Sequence, residues 1–89
     1  MNNEQLRTRL EQLQAELQKA DAIDPQQREK LQARANEIEQ LLKREEIKPH
    51  DYTALGERLS EDVAQLEASH PQITLLMRGV IDSLAYLGI

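Results

Sequence analysis

The residues of this chain best placed to do chemistry are Glu67 and His70, three positions apart. On one helix that spacing turns a carboxylate and an imidazole toward a common point, and carboxylate-bridged di-metal centres in helical bundles use it. Such a centre needs a second copy of the motif and two further Glu residues, so a dimer would have to assemble it. Pro71 follows His70 and pushes it out of helical geometry. That spoils the shared face and favours a capping or turn role. His50 and Asp51 are the second imidazole–carboxylate pairing. They could move a proton, but no nucleophile, oxyanion donor or Gly-rich loop accompanies them.

The remaining charged clusters suit docking better than catalysis. Glu57, Glu61 and Asp62 are expected on the outer face of one helix with Arg58 as the nearby cation. This face could receive a basic partner, although a solvated face is the simpler reading. Lys30 and Arg34 share a helix face with Glu37, and no aromatic side chains stand ready to stack on bases. A formal charge of −5 also works against nonspecific binding to nucleic acid or anionic lipid. The chain has no Cys, which excludes disulfides, thiolate metal sites and Cys nucleophiles.

The elements that must position these residues are all helical. Gln, Glu, Leu, Ala, Lys and Arg dominate, and these are good helix formers. Three Gly and three Pro are too few for a turn-rich β fold. A first helix is expected over residues 3–20, with Leu6, Leu10, Leu13 and Leu17 alternating four and three apart. That spacing keeps a narrow stripe toward a partner helix. Four leucines at roughly 1.5–3 kcal/mol each cannot offset backbone ordering at about 1–2 kcal/mol per residue, so this helix exists only when docked. Its stripe suits an intrachain contact somewhat better than a coiled-coil seam between chains, with no buried Asn to fix a register.

Asp24-Pro25 opens a second helix, with Asp as N-cap and Pro at the first helical position. Its seam is Leu31, Ala35, Ile38, Leu41 and Leu42, and it is expected to end near Glu46. The short connection makes helices 1 and 2 an antiparallel hairpin. Residues 48–51 read as a linker. A third helix starts between Asp51 and Thr53 and runs to about Ala68, with Tyr52, Leu55, Leu59, Val63 and Leu66 inward and Gly56 among them. Pro71 opens the fourth helix, with Ser69 or His70 as cap. It is the most apolar segment: Ile73, Leu76, Met77, Val80, Ile81, Leu84 and Leu87 fall on one broad arc. Leu75 and Tyr86 fall nearly opposite, beside Gly79, where another helix could approach closely. Gly88 can supply a left-handed cap. This helix has one Arg and no Trp or Phe, unlike helices that lie on membrane surfaces.

The stretch Leu66-Glu67-Ala68-Ser69-His70-Pro71, the ending Leu84-Ala85-Tyr86-Leu87-Gly88-Ile89 and the Leu6–Leu17 seam with Glu16 together resemble a family of short bacterial proteins, domain of unknown function 4404. The specific parts are the Glu-x-x-His-Pro break and the Gly-Ile end. The family pattern has a Phe before the Glu where this chain has Leu66. The resemblance implies a small helical cytoplasmic protein and transfers no catalytic residue.

The expected fold is therefore all-α: one helical domain over residues 1–89, made of a long hairpin over 1–47 and a shorter helix pair over 51–89, four-helix bundle-like and oligomeric. Without Phe or Trp, a core this small draws part of its burial from subunit association. The N-terminal residues show no basic region followed by an apolar run, and the C-terminal apolar segment is short for a membrane span, so a soluble cytoplasmic protein is expected. The leading functional expectation is a non-enzymatic protein acting through self or hetero association, with Leu75, Gly79, Tyr86, Leu6, Leu10, Leu13 and Leu17 as the association surface and no cofactor. The alternatives are a metal-binding bundle using Glu67 and His70, and a nucleic-acid- or ribosome-associated regulator.

Overall fold

The computed structural model describes residues 3–20, 23–66 and 70–89. Within them the chain forms α1 (Asn3–Lys19), α2 (Pro25–Leu42), α3 (Pro49–Leu66) and α4 (Pro71–Leu87). The helices are 17, 18, 18 and 17 residues long, so the second pair is not shorter than the first. Each packs beside its neighbour in sequence, and α4 closes the ring against α1. The result is an up-down-up-down bundle of 37 × 20 × 20 Å.

All four apolar seams meet along the bundle axis. Leu6, Leu10, Leu13 and Leu17 of α1 are 0–2% exposed, as are Ile38, Leu59, Met77, Val80 and Leu84 of the other helices. The seam of α1 is thus covered within one chain, against α2 and α4. The most extensive close packing of backbones is between α3 and α4, and α1–α4 is next. The apolar fourth helix therefore serves α1 and α3 directly. Its backbone stays more than 8 Å from that of α2, which lies across the diagonal, although side chains of both helices belong to the one apolar core. Ile23, in the first connection, adds a buried side chain at 4% exposure.

Helix boundaries follow from local chemistry. Pro49 occupies the first position of α3, where its missing N–H costs nothing, and the Asp51 carboxylate accepts a hydrogen bond from the Lys48 N–H at 3.1 Å. Residues 49–51, expected as linker, are instead the first turn of the helix. α2 stops at Leu42 rather than near Glu46. Lys43–Glu46 are exposed, whereas Ile47 packs against the core. On a continuing helix Ile47 would lie about 140° around from Leu42, so the break returns it inward. Arg7 of α1 donates to the Leu42 carbonyl at 3.3 Å and Arg28 of α2 donates to the Ala20 carbonyl. Each places a cation at the negative end of a neighbouring helix. Asp24 and His70 stand at the N-cap positions of α2 and α4, each before its Pro, but neither makes a side-chain capping bond.

Two glycines carry stability predictions. A Cβ on Gly56 would sit 3.6 Å from the Leu84 Cβ, an ordinary contact. Gly56→Ala is therefore expected to stabilise by about 0.5–1 kcal/mol through helix propensity and the unfolded chain, read as a higher urea midpoint. Gly88 does not form a left-handed cap: its φ is −86°. Its need is space, since a Cβ there would lie 2.5 Å from the Thr53 methyl and 3.1 Å from the Pro49 carbonyl oxygen. The Thr53 hydroxyl donates to the His50 carbonyl at 3.0 Å, which holds that methyl in place. Gly88→Ala is expected to cost about 1–3 kcal/mol by overpacking, and its thermal midpoint should fall accordingly.

Candidate association surface

Among the described residues the chemistry-bearing groups do not converge. Glu67 lies outside the described residues, so the metal reading gains no geometry. His70 is half-buried at the head of α4 and His50 is exposed on the first turn of α3. The Asp51 carboxylate is engaged by the Lys48 N–H and by Arg44 at 3.5 Å, not by His50. Among the described residues no group of three or more His, Cys, Asp or Glu could hold a metal ion.

The acidic face expected on α3 is divided. Glu57 and Glu61 are exposed, but Asp62 is 3% exposed and faces α2. There Arg34 Nε donates to its Oδ2 at 2.8 Å, with Lys30 Nζ at 4.0 Å. The hydrogen bond that Arg34 donates to Asp62 raises the pKa of the guanidinium above its ordinary value despite some desolvation. Glu37 extends the network, accepting from Arg34 at 3.1 Å and from Arg58 at 3.2 Å. The cations a nucleic-acid reading would use thus face α3. Beside this network, α2 and α3 enclose an open groove of about 750 Å³ floored by Ala33, Leu41, Ala54 and Leu55. Its rim mixes Glu37, Arg44, Asp51 and Arg58, so it favours neither sign of ligand.

The predicted association residues fall into two groups. Leu6, Leu10, Leu13 and Leu17 are interior and offer no exposed surface. Leu75 and Tyr86 stand outward on α4 at 68% and 50% exposure, followed by Ile89 at 96%. Gly79, between them, is overlaid by α1: the Arg9 side chain lies 3.6 Å from where its Cβ would be. Arg9 Nη1 donates to the Gly79 carbonyl at 2.8 Å and to the buried Ser83 hydroxyl at 2.9 Å. The space at Gly79 is therefore used inside the chain, not left for another helix. Sequence periodicity missed both Arg9 and the burial of Asp62. The one signal available was their position beside, rather than opposite, the apolar seams.

Among the described residues no helix is long and apolar enough to cross a membrane. The family model described as Domain of unknown function (DUF4404) matches residues 6–89. No curated protein and no solved structure matches the chain.

Proposed function

We propose that this chain, which belongs to the DUF4404 family, is a non-enzymatic association protein that self-associates through the outward face of α4. One observation carries the reading. The other large aliphatic side chains of α4 are buried or half-buried, while Leu75 and Tyr86 stand in solvent on the same face. Apolar side chains aligned on one face of a rigid helix are the usual form of a helix-mediated contact. The fold supplies the rigidity, because the opposite face of α4 is locked by Met77, Val80 and Leu84. The proposal sets this association in the cytoplasm.

Light scattering at micromolar concentration tests it. The unaltered protein is expected to have a mass above that of the monomer. The double variant Leu75→Asp/Tyr86→Ser is expected to be monomeric with unchanged helix content, since both positions are exposed. A monomer mass for the unaltered protein, or an unchanged oligomer in the double variant, overturns the reading.

A further inference from the structure

We infer that the occupant of the α4 face is a second copy of the chain, bound antiparallel about a two-fold axis that crosses the outer face at the level of residues 80–81. The inference rests on the association reading above and adds the partner's register. On α4, Leu75, Asp82 and Tyr86 project within about 40° of one another, with Arg78 bordering them. Leu75 and Tyr86 are centred between residues 80 and 81, and Arg78 and Asp82 are centred on residue 80. The apolar pair and the charged pair thus share nearly one midpoint.

That coincidence makes the face complementary to itself. In a two-fold contact residue i meets j and j meets i. An antiparallel pairing therefore sets Leu75 against Tyr86 of the partner subunit and Arg78 near Asp82 of the partner subunit, at both ends. A parallel pairing sets Arg78 against its own copy and Asp82 against its own copy, and like charges facing each other oppose association. Arg78 and Asp82, the only charged residues of α4, offset one another, and the Arg9 guanidinium of α1 beside Gly79 donates to the Gly79 carbonyl and the Ser83 hydroxyl. The pairing does not require either charge to lack contacts within its own chain.

Two measurements test the register. The chain has no Cys, so a nitroxide on Gln72→Cys, an exposed position, reports a single distance. The antiparallel pairing places the two labels about 25–30 Å apart, and a parallel one about 10 Å. Separately, Asp82→Arg and Arg78→Asp are each expected to weaken self-association at least about tenfold. Mixing the two variants is expected to restore association, with circular dichroism confirming that both are folded. A label distance near 10 Å, or single variants that associate like the unaltered protein, overturns the antiparallel pairing and leaves the association reading standing. A monomeric unaltered protein overturns both.

Discussion

Truncating Leu84 to Ala is expected to cost about 2–5 kcal/mol of stability, because the side chain is fully enclosed and its removal leaves a cavity. Leu84 is 0% exposed, and its Cβ lies 3.6 Å from where a Cβ on Gly56 of α3 would be. The glycine has no side chain that could turn into the vacated space, so relaxation must come from the backbone of a tightly packed pair. The loss should appear as a lower urea midpoint at unchanged slope. Leu75→Ala is the control. At 68% exposure it should shift stability of the monomer by no more than about 0.5 kcal/mol. Equal small effects at both positions would mean that α4 does not turn the proposed face inward.

Asp62→Ala is expected to cost about 3 kcal/mol, because it strands the Arg34 guanidinium at the α2–α3 interface without its carboxylate. Removing one member of a buried pair costs about 3–5 kcal/mol. Arg34, at 17% side-chain exposure, recovers some water and belongs at the low end. Exposed Glu61, one residue earlier, should tolerate Ala with almost no change. Replacing both partners by apolar residues, as in Arg34→Met/Asp62→Leu, is expected to fall within about 1 kcal/mol of the unaltered protein. Denaturant melts of the set decide the matter. An Asp62→Ala loss as small as that of Glu61→Ala would show that the pair contributes little.

The seams were legible because their signal is local. The four-three alternation of Leu6, Leu10, Leu13 and Leu17 needs only its own helix to declare an inward face, and Pro25 and Pro71 mark helix starts by fixed geometry. The exposed side of α4 was readable for the same reason, since Leu75 and Tyr86 project opposite Met77 and Val80. What escaped the sequence depends on residues far apart in the chain. Asp62 is interior because Arg34 meets it from 28 positions away, and Gly79 is covered because Arg9 reaches it from 70. Gly88 has an ordinary helical φ, so no cap motif could reveal that Thr53 and Pro49 crowd it. The start of α3 was misplaced because Pro49 serves equally in a linker and at a first helical turn. The diagonal separation of α2 from α4 belongs to the ring arrangement as a whole and has no counterpart in any single segment.

The account turns on the seam of α1 being closed inside one chain, with association confined to the outer face of α4. Amide hydrogen exchange measured across a range of protein concentrations tests this most directly. Amides of Leu10–Leu17 and of Met77–Leu84 are expected to be protected together, to a degree set by global unfolding, and the α1 protection should persist on dilution to the monomer. Protection of α1 that vanishes on dilution while α4 stays protected would show that a second chain covers the leucine seam, and would contradict the account.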